Sequence, residues 1–115
     1  MSDRNNKEVG MTEFLSDVLV TAIEGGIQYW SNVLSYDGKS RAVIVPFDNE
    51  NDEIEVTTDT IRLAFQRLRA GDVKGLHPAS RRRYLREYRS FDYDFDASDA
   101  DAIVQIGLFS EVVFG

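Results

Sequence analysis

Three groups of residues in this chain have types and spacings that chemistry could use. The first is Glu24-Gly25-Gly26-Ile27-Gln28-Tyr29-Trp30-Ser31. Paired glycines let a backbone come close to a neighbour, and Tyr29 and Trp30 offer flat faces on which a base or another ring can stack. A planar, nucleotide-like ligand suits such a corner; a helix stop followed by core aromatics uses the same residues. The second group is the basic run Arg81-Arg82-Arg83 with Arg86 and Arg89. Guanidinium forks match phosphate oxygens, so Arg82 and Arg86 are candidates to hold a ligand's phosphates, against the alternative of a self-neutralising helix surface. The third group, Asp92, Asp94 and Asp96, opens like a calcium loop. Counted from Asp92, however, the sixth and twelfth places hold Ala97 and Ile103, where such a loop needs glycine and glutamate, so no metal site is expected.

Catalysis has less to work with. The chain has no cysteine, and its one histidine, His77, precedes a proline. No serine sits in a nucleophile elbow, and phosphate loops and dinucleotide fingerprints are absent. Asp99 and Asp101 are spaced to fall on different faces of a helix, which separates them as an acid–base pair. A non-enzymatic protein is expected, binding through Glu24, Gly25, Gly26, Tyr29, Trp30, Arg82 and Arg86, with no catalytic residue, metal or cofactor.

Charge is distributed in blocks. The 115 residues carry 13 Lys and Arg against 20 Asp and Glu, a net −7. Residues 62–89 hold nine bases and two acids, or +7, and the remainder holds four bases and 18 acids, or −14. Such blocks can pair within the fold or form separate surfaces for separate partners. No apolar run approaches the roughly 20 residues that cross a bilayer, and the polar start MSDRNNKEVG lacks a hydrophobic signal core. A soluble, cytoplasmic protein without membrane contact is the expectation.

The elements that must position these residues follow from periodicity. Residues 1–10 lack an apolar stripe and read as a flexible arm; residues 11–115 read as one domain. Met11, Phe14, Leu15, Val18, Leu19, Ala22 and Ile23 line one helical face, which Gly25-Gly26 ends. Ile27–Tyr36 and Arg41–Phe47 read as strands joined at Asp37-Gly38, with Pro46 implying an edge or a bulge. Glu53–Thr57 reads as a third strand after an acidic loop. A second helix follows, with Ile61, Ala64, Phe65 and Leu68 inward and Arg62, Arg67 and Arg69 outward, until Gly71 stops it. Pro78 opens a third helix with a stripe of Tyr84, Leu85 and Tyr88. If extended, Phe91–Asp96 would place aromatics on one side and carboxylates on the other. Asp96 or Ser98 caps a last helix over 97–109, apolar nearly all round, which implies deep burial or a partner chain. The predicted fold is α+β: an N-terminal helix, a three-stranded antiparallel β-meander, then three helices.

Two phrases, Ala22-Ile23-Glu24-Gly25-Gly26-Ile27-Gln28-Tyr29-Trp30-Ser31 and the C-terminal stretch from Asp96 to Gly115, with its Asp99-Ala100-Asp101 and Gly107-Leu108-Phe109, resemble a group of small uncharacterised proteins of actinobacteria and their bacteriophages. The Arg81–Arg89 segment lies outside the matching phrases. The resemblance implies a phage or mobile-element protein that sequesters a nucleotide-like host signal or blocks a host defence system. The rival expectation is an acidic inhibitor that presents Asp92, Asp94, Asp96, Asp99 and Asp101 to a basic host protein in imitation of DNA. Expected partners are a nucleotide-like small molecule or a host protein, and a second copy in a homo-oligomer, since the last helix has apolar surface to spare. Direct nucleic-acid binding is not expected.

Overall fold

The computed structural model describes residues 3–91 and 94–115, the stretch 3–9 for its backbone only. The elements are helix α1 (Asp3–Thr21), strands β1 (Ser31–Tyr36), β2 (Arg41–Pro46) and β3 (Ile54–Thr57), and helices α2 (Thr58–Ala70), α3 (Pro78–Ser90) and α4 (Ala97–Phe109). The strands form one antiparallel sheet in the order β1-β2-β3. The fold is therefore α+β, with the meander between the first helix and the last three.

Helix α1 buries Phe14, Leu15, Val18 and Leu19, and the stripe continues through Ala22 and Ile23 into a wide π-helical turn, Ala22–Gly26. Each fully buried Leu or Ile of that stripe contributes roughly 1.5–3 kcal/mol of transfer free energy. The helix also runs back to Asp3, through residues whose lack of a stripe reads as an arm. Extending a nucleated helix costs far less than starting one, so the apolar turns from Met11 can carry polar turns before them.

Strand β1 starts at Ser31, four residues later than its composition suggests. Ile27–Trp30 instead form a tight turn, in which Ile27 donates to Ala22 O at 3.0 Å while Trp30 and Ser31 donate to Ile27 O at 3.2 and 3.1 Å. Leu34 is the extra residue of a bulge that shifts the β1–β2 register between Val33 and Ser35. Pro46 ends β2 opposite Ser31, two residues beyond the last β2–β3 pair, Ile44 with Ile54, so its missing N–H faces a locally unpaired edge, while Phe47 N donates to Trp30 O at 2.9 Å on the β1 side.

The helix ends obey local rules. Thr57 and Thr60 form a capping box for α2, and Gly71 ends it with a φ of 78°. His77 Nδ1 accepts from Ala79 N at 3.0 Å at the start of α3. Asp96 caps α4, with Asp99 reaching back to complete a second box. The expected alternation over Phe91–Asp96 does not form a strand in its described part: Phe95 is buried in the core and Asp94 is exposed, while Asp92 and Tyr93 lie outside the described residues.

One core joins the layers. Phe65 stacks on Tyr88 at 4.4 Å between ring centres, and Phe14 packs against Phe65 and Phe95 at 5.6 and 5.7 Å. Ala42, Ile44 and Val56 add the sheet's inner face, and Ile103, Val104 and Ile106 add α4. Helix α4 packs on α1, on α2 and on the π-helical turn, so its apolar circumference is covered within the chain. The inference of a homo-oligomer from that helix loses its premise. Among the described residues, no helix is long and apolar enough to cross a membrane.

Candidate functional site

The corner at Gly25-Gly26 does bring Tyr29 and Trp30 together, but the chain fills it with its own residues. Trp30 is only 3% exposed; its Nε1 donates to Asp101 Oδ1 at 2.8 Å and its ring stacks on Phe114 at 4.5 Å, 5° from parallel. Tyr29 donates to Asp101 Oδ2 at 2.6 Å. Partial burial of that hydroxyl, and the carboxylate it faces, push the Tyr29 pKa up to about 12. Gln105, fully buried, donates to Asp101 Oδ1 at 2.9 Å and accepts from the backbone of Val113 and Phe114 at 2.7 and 2.8 Å. The segment Glu111–Gly115 is thereby strapped over the corner, and Phe114 occupies the face of Trp30 on which a ligand ring was expected.

The glycines have a separate explanation. A Cβ on Gly26 would sit 2.6 Å from Ala97 O, so this glycine lets the π-helical turn touch the first turn of α4. Its close approach is to protein backbone. Gly25 has no such constraint, since a Cβ there would meet only Ala97 Cβ at 3.7 Å. Glu24 is exposed and accepts from Tyr36 at 3.0 Å. Among the described residues, no hydrogen bond or ion pair joins Arg82 or Arg86 to this corner.

The arginines divide into two kinds. Arg67, expected to point outward, donates to Ile106 O and Gly107 O at 2.8 and 2.9 Å, and Arg81 donates to Leu68 O and Arg69 O at 2.7 and 3.3 Å. Each holds the terminal carbonyls of a helix, where the dipole favours a cation. Arg83 grips Asp99 with two bonds, at 2.7 and 3.2 Å, and also donates to Asp94 O. Arg62 pairs with Asp59. These four are half-buried, whereas Arg69, Arg82, Arg86 and Arg89 are exposed and, among the described residues, make no ion pair. Arg69, Leu85, Tyr88 and Arg89 line a cleft of about 250 Å³ between α2 and α3, with the Arg69 guanidinium 5.8 Å from the centre of the Tyr88 ring. At 100° per residue, Arg82, Leu85, Arg86 and Arg89 share one face of α3.

The acidic segment meets the basic one at Asp99. That carboxylate accepts from Arg83, from Tyr84 at 2.9 Å and from Asp96 N at 3.2 Å. Burial pulls its pKa up, but these donors outweigh burial and hold it below the usual carboxylate range. Tyr84 is pushed up in turn, by burial first and by Asp99 second. Asp99 and Asp101 do face opposite ways, as their spacing predicts, and both are buried. They cannot belong to a presented carboxylate surface. Among the described residues, no three metal-binding side chains gather.

Residue patterns alone missed Asp101, Gln105 and Phe114 as partners of the aromatic corner. A signal was present: Asp99, Asp101 and Gln105 stand inside an otherwise apolar helix, and buried polar groups require partners. No protein-family model, curated protein or solved structure matches this chain.

Proposed function

We propose that the protein acts by binding, and that its ligand is a phosphate-bearing small molecule of nucleotide type held on the arginine face of α2 and α3. The observation that carries this reading is the division among the arginines: Arg69 and Arg89 line one cleft, Arg82 and Arg86 stand on the same face of α3 as Arg89, and all four are exposed and without ion pairs among the described residues, while their neighbours are committed to the fold. Phosphate oxygens are the partners such forks fit best, and Leu85 and Tyr88 give a ring or ribose an apolar floor. The cleft's 250 Å³ suits one phosphate group or one ring. Trp30 takes no part, because Phe114 covers it. A phage-borne protein of this design would act by sequestering such a ligand.

The test is a thermal-shift and calorimetric titration with pyrophosphate, ATP and a cyclic dinucleotide, comparing wild type with the double variant Arg82→Ser/Arg86→Ser. Saturable binding by at least one probe is expected, weakened roughly tenfold or more by the double change, since a charged hydrogen bond contributes about 1.5–3 kcal/mol. Raising the salt from 50 to 300 mM should weaken it further. Failure of all three probes to shift the wild type at millimolar concentration would sink the reading. Comparable binding of single-stranded DNA that scales with its length would transfer the face to nucleic acid.

A further inference from the structure

A second cleft, sharing no residue with the arginine face, has the opposite chemistry. Its apolar walls are Pro46, Phe109, Val113 and Phe114, its rim is Asp48, Asn49 and Asp52, and its volume is about 410 Å³. The walls are firmly held: Phe114 stacks on Trp30 and meets Phe109 edge-on at 6.2 Å, and Gln105 ties down the backbone on either side of Val113. The rim is held too, because Asn49 donates to Pro46 O and Asp52 to Asn49 O at 3.2 and 3.1 Å, folding the loop into consecutive turns.

The loop contains Asp48, Glu50, Asp52 and Glu53 and no base. Among the described residues, none of these carboxylates makes an ion pair or a side-chain hydrogen bond. Beside them stand two of the large apolar side chains that the fold leaves exposed, Phe47 at 50% and Val113 at 53%. Exposed apolar surface rimmed by charge is the ordinary signature of a protein-binding site.

We propose that this cleft docks a protein segment that presents an arginine or lysine beside an aromatic or large aliphatic side chain. The apolar side chain lies against Phe109 and Phe114, and the cation sits between Asp48 and Asp52, where a guanidinium can also rest on an aromatic face. The volume holds one or two side chains and so selects a short motif. Charge complementarity decides the partner: a chain of net −7 attracts a basic protein and repels its own copies. Among the described residues, the rim's carboxylates belong to no group of three that could hold a bare metal ion.

The probe is a capped peptide in which arginine alternates with phenylalanine. Two control peptides replace all arginines by glutamate or all phenylalanines by serine. Trp30 is the only tryptophan and is stacked on a wall of the cleft, so its emission reports occupancy. The expected result is a saturable emission change with the arginine–phenylalanine peptide alone, with a Kd at least tenfold weaker for Asp48→Asn/Asp52→Asn. Those exposed loop changes should leave Tm unchanged, and Arg82→Ser/Arg86→Ser should bind the peptide like wild type. Equal affinity of the Asn double variant, equal affinity of the serine peptide, or no binding at millimolar peptide would each overturn the proposal. So would a concentration-dependent self-association abolished by the same Asn changes, which would put a second copy of the chain in the cleft.

Discussion

Glu87 is buried on α3 with one carboxylate oxygen, Oε2, that has no hydrogen-bond partner, while Oε1 is 3.6 Å from Arg83 Nε. Burial raises its pKa; Arg83 and Arg86 oppose that rise, and Asp94 and Asp99 add to it. A carboxyl whose folded pKa is raised gives stability that is complete below its unfolded pKa and is lost as pH climbs through the folded value. The apolar replacement Glu87→Met should therefore stabilise the fold at pH 7.5 by about 1 kcal/mol, and by less at pH 4. Urea melts at the two pH values check it, and an equal effect at both would contradict the account. Asp99 has the opposite sign: its lowered pKa gives stability present above the unfolded value and lost as pH falls. At Asp101 the issue is donors. Tyr29, Trp30 and Gln105 all donate to it; Gln105 keeps Phe114 O and Tyr29 is half exposed, so Asp101→Ala orphans the buried Trp30 Nε1 above all and should cost about 1–3 kcal/mol in urea unfolding.

At the scale of elements, the fold depends on two places where backbones nearly touch. Gly26 lets the π-helical turn reach Ala97, and Gly107 lets α4 cross α2 against Thr60, where a Cβ would collide with backbone. Gly26→Ala and Gly107→Ala should each lower stability by about 2 kcal/mol or more through forced separation of packed elements. Gly25→Ala should be neutral, or stabilising by about 0.5 kcal/mol, because its Cβ would meet only Ala97 Cβ at an ordinary contact distance of 3.7 Å and alanine is the better helix former. Thermal melts of the three variants check the ranking, and a large loss at Gly25 would point to a role other than packing. The strap over Trp30 belongs to this scale as well. Phe114→Ala should shift Trp30 emission to the red by opening the indole to water.

Across the whole molecule, the segmental charge resolves into a partly internal and a partly external distribution. Arg83 joins Asp99, and Arg67 and Arg81 serve helix ends; what remains outside is a cluster of four guanidiniums and, in the loop at 48–53, a cluster of carboxylates. The two clefts have no residue in common, so changes in one should leave the other's ligand untouched. Any Tm gain from ATP should be the same in wild type and in Asp48→Asn/Asp52→Asn. A loss of the ATP effect in that variant would show that the clefts communicate.

The stripe from Met11 to Ile23, the Asp37-Gly38 turn between β1 and β2, Gly71 at the end of α2, Pro78 at the start of α3 and Asp96 before α4 were all legible in the chain, because helix periods, turns and caps act over a few residues. They determined the order of elements, the α+β class and the inward faces. The use of the glycine–aromatic corner was not legible. Trp30 and Asp101 are 71 residues apart, Tyr29 and Gln105 are 76, and nothing local in either segment names the other. The arginines looked alike in sequence for the same reason, since whether a guanidinium meets a helix end, a carboxylate or water depends on what the packed helices bring beside it. Only the tertiary structure decided that the aromatic corner is filled by Phe114 and that the free charge lies elsewhere.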